Sequence, residues 1–588
     1  MRWKRQHSDR WIQAFFCCIT CSSLVLATSD EQKPLFQLLK TTTTIEDWDL
    51  ERTPSANSTN QWIFDAANSL LKLWPNTRLR NGHSIVPSII PVGTNLYHGA
   101  TTHGVPTIPT GPEWTAIDPE HAYAFCRNWV FDGTGCWQLT LTAIRPLRVL
   151  YFDGASAAKM WGGSMDSQDI LIWGGIQPNR TFDEKTRLLD LCTWGNKYSI
   201  DGFVRMQADF EVMLCNFSSG LQTSSFLNLY PMNGMNGSEV LSPSIGFRAV
   251  EAGKWHDRFP SEQRIQLDYS RTLSFYDTAS FPNLQIHRKD QERWDHRLKM
   301  ITREERHTLH RQLDDFLHGE WGSSKNGVDW RALLTVVEQR YNERLEILRY
   351  ILFDVASAPD RNIEDVLKQA YRHIKDMLVP YLLNSVYPSP QNPRSYTSSK
   401  NLSWAAPAFK ECSIAHTQSL QSPVIYFKLT HSEKLLLASV EAVSKEICRT
   451  MVRIWAEGVE HGFAAGTPYV PAFTWAARNV EELAEKWRNQ TQGLMNWLDW
   501  SHWARCTPAC NYEEMCYMPT WPFFRHLPRG PPHPPPTFRN DSTDTPSYHS
   551  SDADEVPDDE HDKEPGPDDD WYRPIPRCIR RLEPYSVA

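Results

Sequence analysis

After its first 27 residues the 588-residue chain has no apolar run long enough to cross a bilayer, which takes about 20 residues in succession. It has no H-E-x-x-H, P-loop, G-x-S-x-G or EF-hand motif either, so the chemistries those spacings carry find no support. A basic surplus is also missing. The net charge is −9, and the stretch from Asp541 to Asp570 holds 13 Asp/Glu and one Lys, so that stretch carries −12 and leaves +3 for the rest. Phosphate binding wants a strongly basic surface, so no nucleic-acid partner is expected. What is present is apolar and aromatic: 40% hydrophobic and 22% charged residues exclude a collagen-like or wholly disordered chain. At about 100–200 residues per domain, the length implies several folded units.

The first 27 residues read as a secretory signal. Arg2, Lys4, Arg5 and Arg10 make a basic start, Ala14 to Ala27 a short apolar stretch, and Val25-Leu26-Ala27 a small-residue cleavage site. A retained signal anchor is the alternative. The mature chain is then expected to pass through the endoplasmic reticulum to an extracellular or cell-wall location, with no membrane span. Cysteine usage agrees. Ten of the 13 cysteines lie beyond the signal: Cys126, Cys136, Cys192 and Cys215 in the N-terminal half, and Cys412, Cys448, Cys506, Cys510, Cys516 and Cys578 in the C-terminal half. Even numbers in an oxidising compartment point to two and three bridges, with the pairing left open. The set Cys506, Cys510, Cys516 and Cys578 lacks zinc-ribbon spacing, so disulfides are expected there and no metal. Seven Asn-x-Ser/Thr sequons follow the signal, at Asn57, Asn179, Asn216, Asn236, Asn401, Asn489 and Asn540. In an exported chain they mark surface positions for N-glycans.

Residues 28–87 read as an arm with one helix at 61–74. Residues 88–250 alternate short β-forming runs with turn residues, and six strands are predicted: Thr94–Tyr97, Trp114–Ile117, Cys136–Thr142, Arg148–Phe152, Gly202–Met206 and Phe210–Cys215. Pro119 after Asp118 opens a helix to Trp129, and a second covers Glu184–Trp194. This is an α+β unit. A transitional segment, 251–287, leads to a mainly α-helical, disulfide-bonded unit at 288–526. Its expected helices are Asp290–His318, Asp329–Ala356, Ile363–Leu383, one capped by Thr430 and Glu433, and Val480–Trp500. Leu436, Val440, Val443, Ile447, Met451 and Ile454 put one apolar stripe on the Thr430 helix. Trp487, Leu494, Trp497, Trp500 and Trp503 are expected to share a buried side. A cysteine-rich hook closes the unit. Residues 527–570 are a Pro-rich, then acidic, disordered loop, and 571–588 are expected to dock back onto the helical unit through a disulfide at Cys578.

Three segments carry the candidate chemistry. Tyr97-His98-Gly99 ends a strand, Trp114-Thr115-Ala116-Ile117-Asp118-Pro119 joins a strand to a helix, and Asp209-Phe210-Glu211-Val212-Met213-Leu214 opens a late strand with carboxylates. In that order they resemble the ADP-ribosyltransferase fold. The resemblance implies NAD as co-substrate. His98 would bond the nicotinamide-side ribose or carboxamide, and Gly99 would let the backbone approach the carboxamide. Glu211 would stabilise the oxocarbenium-like ribose, and Asp209 would orient an acceptor. Where many members place a nicotinamide-stacking Tyr, this chain has Thr115 with Trp114 beside it.

A second resemblance spans nearly the whole chain. Phrases such as RPLRVLYFDG, IDGFVRMQADFEVMLC, SEKLLLASVEAVSKEICR and RPIPRCIRRLEPYS resemble a family of uncharacterised secreted proteins of filamentous fungi, which brings no activity. Two functions therefore stand as expectations. One is an NAD-cleaving transferase or glycohydrolase acting on a protein or small-molecule acceptor. The other is a non-catalytic extracellular or cell-wall-associated binding or structural protein.

Overall fold

The alternating segments become strands and the three-to-four-spaced segments become helices. The computed structural model describes residues 48–100, 107–125, 136–159, 162–229, 243–256, 260–319, 321, 326–355, 362–383, 402–464, 479–519, 574–584 and 586–587. The signal, Cys126, Asn236, Asn401, Asn540 and the 527–570 loop lie outside these residues.

Ten strands form one mixed sheet: β1 (Ser84–Ile90), β2 (Asn95–Ala100), β3 (Glu113–Ala116), β4 (Cys136–Ala143), β5 (Leu147–Phe152), β6 (Gly202–Met206), β7 (Phe210–Leu214), β8 (Leu221–Leu229), β9 (Gln266–Leu267) and β10 (Leu273–Ser274). Their order is β10-β1-β5-β6-β7-β3-β2-β4-β8, with β9 also on β1. Among these pairs only β5 and β6 run parallel. A parallel pair needs a long crossover, and here it carries the helices Asp166–Trp173 and Glu184–Gly195. The six predicted strands are all present; Gly202–Met206 has the predicted ends and no end of the others is shifted by more than three residues. β1 was not among the predicted strands; Pro87 lies inside it, and proline is rare in an inner strand. On its outer side β1 changes partner around Pro87, from β10 at Ser84–Ile85 to β9 at Ser88–Ile89. The missing N–H falls in that gap, while the Pro87 carbonyl still accepts from the Asp268 amide.

Alternation sends residues to two cores. Val86, Leu96, Leu139, Leu141, Val149, Val204, Val212 and Leu214 share one face of the sheet. Leu150, Phe152, Phe203 and Met213 lie on the other, under Ile170, Leu188, Leu191, Leu309 and Leu313. Leu309 and Leu313 come from the helix Arg303–Leu317, so this helix packs on the sheet although the sequence groups it with the helical unit. It is also shorter than the predicted 290–318. Thr302 and Glu305 form a reciprocal capping box that starts the helix at Arg303.

A third core belongs to the helical region. Its centre is the helix His431–Glu460, opened by the Thr430–Glu433 capping box. All six residues of the predicted stripe are buried. Around it pack Trp330–Tyr350, Ile363–Leu378, Ala406–Ile414 and Val480–Leu498. Trp487, Leu494 and Trp500 are buried there, and Trp497 and Trp503 are partly buried. The predicted helix at 61–74 splits. Asn60–Ser69 sends Ile63, Phe64 and Ala67 into the helical core, Leu71 turns left-handed (φ 59°), and Leu70, Leu71, Leu73 and Trp74 enter the sheet's first core. The arm thus ties the two regions together. A buried ion-pair cluster reinforces the tie: Arg293 lies 2.8 Å from Asp65 and 3.3 Å from Asp499, which also pairs with Arg78 at 2.6 Å.

Four bridges join Cys192 to Cys215, Cys412 to Cys448, Cys506 to Cys516 and Cys510 to Cys578. Cys136 is also disulfide-bonded. The chain end does return through Cys578. It pairs as β12 (Arg577–Arg580) between β11 (Glu514–Tyr517) and β13 (Ser586–Val587). Its apolar contact differs from the expectation of a seat on the helices: Ile579, Met515 and Tyr517 pack with Ala208, Phe247 and Val250, next to the sheet.

Candidate functional site

The three motif segments become neighbouring strands, in the order β7-β3-β2. Register then decides which side chains meet. Tyr97 pairs with Ala116 and Ala116 pairs with Glu211, so these three point to one face. Cross-strand partners share a face and adjacent residues alternate. His98 and Thr115 therefore point to the opposite face from Glu211, and Trp114, the partner of Met213, points with Glu211. Two strand spacings, about 10 Å, also separate β2 from β7. The expected single crevice holding His98, an aromatic ring and Glu211 is not formed.

The environments agree with the register. His98 donates from Nδ1 to the Trp114 carbonyl at 2.7 Å, and its ring sits edge-on to Phe217 of the first core. Burial holds its pKa below the ordinary value, against the opposing pull of the Trp114 carbonyl. Gly99 pairs with Gln138 of β4, Thr115 donates its hydroxyl to the Val212 carbonyl, and the Trp114 side chain is exposed. Glu211 is buried and committed elsewhere. Arg205, its partner across β6–β7, donates to it from Nε at 2.8 Å and from a terminal nitrogen at 2.6 Å. The same guanidinium reaches Glu184 at 2.5 Å and Gln168 at 3.1 Å. Glu184 also binds Arg187, which holds Asp169 at 2.9 Å. Burial pushes Glu184 up, but Arg205, Lys159 and Arg187 together outweigh it and bring it down to about 2. A carboxylate already neutralised by a buried guanidinium has little charge left for a developing ribose cation.

Asp209 does not join Glu211. It lies in the bend before β7, fully buried, with Oδ2 4.0 Å from His121 Nδ1. His121 is buried too, and among the described residues neither of its ring nitrogens has a hydrogen-bond partner. Asp118 shares a side-chain hydrogen bond with Asp209 and is clamped by Arg264 at 2.9 and 3.1 Å. Arg264 in turn holds Glu262 at 2.8 Å. Burial pushes Asp118 up to about 6; Arg264 opposes the rise, and the Asp209 carboxylate adds to it. Sequence reasoning treated Asp118 only as a helix cap and gave His121, Glu262 and Arg264 no role. The Asp-Pro-x-His spacing before a late carboxylate was the signal available for part of it.

At the other end of the sheet lies a cleft of about 980 Å³, bounded by Arg145, Arg148, Asp201, Trp321 and the Cys192–Cys215 bridge. In the hook, Cys506, Cys510 and Cys516 have their sulfurs within 4.8 Å of one another, but each is spent in a disulfide and none is a thiolate ligand. Among the described residues no helix is long and apolar enough to cross a membrane.

Comparison with known proteins points to an uncharacterised family. Residues 49–138 and 136–238 match the model described as the YPL277C N-terminal domain. The matched span starts ahead of the sheet, takes in the helix Asn60–Ser69 and runs past β8. The chain is 24% identical over 535 residues to the uncharacterized protein YOR389W of Saccharomyces cerevisiae, covering 78% of this chain and 81% of that one. It is 28% identical over 256 residues to the uncharacterized protein YPL277C of the same yeast, covering 35% of this chain and 51% of that one. No solved structure matches.

Proposed function

We propose that the chain is an exported, disulfide-stapled glycoprotein whose sheet is a catalytically silent relative of the ADP-ribosyltransferase fold and which acts by binding. Its kin on this reading are the secreted proteins of filamentous fungi that its whole-chain phrases resemble. The observation that carries the silent reading is the placement of His98 and Glu211 on opposite faces of the sheet, with Glu211 held by Arg205. What supports kinship with the transferase fold is coarser: the three motif segments lie side by side as β2, β3 and β7. Export is supported by the paired cysteines in both halves of the chain, since such bridges persist in oxidising compartments. The exposed sequons Asn57, Asn179, Asn216 and Asn489 fit the same reading.

The test is direct. Purified protein incubated with NAD is expected to release no nicotinamide above the buffer rate. Release that disappears in Glu211→Gln would overturn the silent reading and restore the NAD co-substrate.

One observation favours a second, enzymatic reading through other residues. The Asp118–Asp209 pair shares a hydrogen bond beside His121, whose Nδ1 lies 4.0 Å from Asp209, and such pairs are the raw material of acid–base chemistry. All three side chains are buried, so this reading requires the strap around Arg264 to open. Hydrogen exchange of the 260–265 backbone that matches the slowest core amides would exclude it.

A further inference from the structure

The cleft at the sheet end is bordered by one of the chain's own sequons. Asn216 lies two residues past Leu214, the last residue of β7, and lines the cleft. Its side chain is exposed. Asn216 Oδ1 accepts from both the Ser218 amide, at 2.8 Å, and the Ser218 hydroxyl, at 2.7 Å. Those bonds engage the oxygen of the amide and leave Nδ2, the atom that would carry a sugar, outside them. The sequon is thus closed on itself at the rim of a cleft whose volume, about 980 Å³, is at the upper end of the ~300–1,000 Å³ typical of small-molecule sites.

The walls suit a polyhydroxylated ligand. Trp321 offers an indole, and Thr193, Asn196 and Ser219 offer hydroxyl and amide groups. Arg145 is fixed in place by Asp201, at 2.6 and 2.7 Å, and by Ser219 at 2.9 Å. Arg148 is held by the Gly319 carbonyl and lies 5.3 Å from the centre of the Trp321 ring. A preorganised set of donors beside an aromatic surface binds sugars at low ordering cost. The other exposed sequons differ. Asn57 and Asn179 do not line this cleft, and Asn489 lies in the middle of the helix Val480–Leu498, with its sequon threonine, Thr491, buried.

We infer that Asn216 carries an N-glycan whose first sugars fold back into this cleft and pack against Trp321, so that the glycan is a built part of the sheet end. The inference rests on the export reading. It is tested on the full chain, produced with its own leader in a eukaryotic secretory host. Glycopeptide mass spectrometry gives occupancy at each sequon, and timed endoglycosidase digestion gives the rate of release from each, before and after denaturation. The expected result is Asn216 occupied, and trimmed at least tenfold more slowly than Asn57 and Asn179 in the native protein but not in the denatured one. Trp321→Ala should abolish that protection. Thr193→Trp, which fills the cleft from an exposed helix position, should do the same without touching a core. Sugar at Asn57 or Asn179 with none at Asn216, or equal native trimming at all occupied sites, overturns this inference and leaves export standing. No sugar at any sequon overturns both.

Discussion

The helical core and the sheet region arrange their buried charges differently. Around the helix His431–Glu460 the buried charges sit in short local contacts: Glu433 and Glu457, near the helix ends, accept from the indole N–H groups of Trp330 and Trp487, Arg449 pairs with Glu446 at 2.6 Å, and Lys72 pairs with Glu338 at 3.1 Å. The sheet region instead buries Asp153, Asp169, Glu184, Arg187, Arg205, Asp209 and Glu211 among its strands and crossover helices. Apolar cores lose stability in proportion to the volume removed, whereas a buried ion network fails when one partner leaves the other charged and dry. The contrast bears on the candidate carboxylate Glu211 as well. The carboxylate best placed by sequence for ribose chemistry is a strut of the network.

The sharpest way to break this contrast is to delete one guanidinium. Arg205→Met leaves Glu184 and Glu211 without their shared partner and is expected to cost about 3–5 kcal/mol in urea unfolding. Ile447→Val, one methyl from the centre of the helical core, should cost only about 1 kcal/mol. Equal losses would show that the sheet's charges are not a coupled network.

Removing a staple from each region sharpens the comparison by showing what does not differ. The Cys192–Cys215 and Cys412–Cys448 bridges span 23 and 36 residues. Replacing each pair by alanine should cost about 3 kcal/mol, and loop length alone separates the two by only about 0.4 kcal/mol. A difference above about 2 kcal/mol between the two double variants would place the asymmetry in the bridges and not in the core chemistry.

Acidity separates the regions more gently. Burial pushes Asp153 up to about 7, against the hydrogen bonds from Ser84, so between its ordinary value and 7 the folded chain binds the extra proton. Its contribution is full at about pH 4 and declines as pH rises to 7; Asp118, raised to about 6, acts in the same sense. Glu184, lowered to about 2, contributes above its ordinary range and loses that contribution as pH falls toward 2. Melting temperature should fall by about 2–4 °C from about pH 5 to 7.5, and Asp153→Asn should flatten most of that slope. An unchanged slope in the variant would place the titration elsewhere.

Periodicity made the helical core legible: the six-residue stripe on the Thr430 helix was readable because an apolar face repeats every three to four residues whatever surrounds it. Strand existence was legible for the same reason, with period two. Register was not. Whether His98 shares a face with Glu211 depends on which residue of β3 stands between them, and a one-residue slip reverses the answer. The ion network was hidden because Arg205, Glu184 and Asp169 lie on three different elements and have ordinary spacing in sequence. β1 was missed because the gap between β9 and β10 that tolerates Pro87 exists only in the assembled sheet. The bridge to Cys578 was legible from parity of cysteines, while the seat of the chain end against Phe247 and Val250 was not.

The smallest effect tests whether the two regions are also joined at the start of the central helix. Thr430 caps the central helix by accepting from the Glu433 amide at 3.2 Å, and its hydroxyl also donates to the Ser270 carbonyl at 2.7 Å, in the turn that separates β9 from β10. Thr430→Ala removes both bonds and should cost about 1–2 kcal/mol. Thr430→Asp keeps a cap acceptor but cannot donate to Ser270, so it should recover the helix share, about 1 kcal/mol, and leave the rest lost. Calorimetry distinguishes the outcomes. Full recovery by the aspartate would mean that the Ser270 bond contributes nothing, and that the contact between the two regions at this point is only proximity.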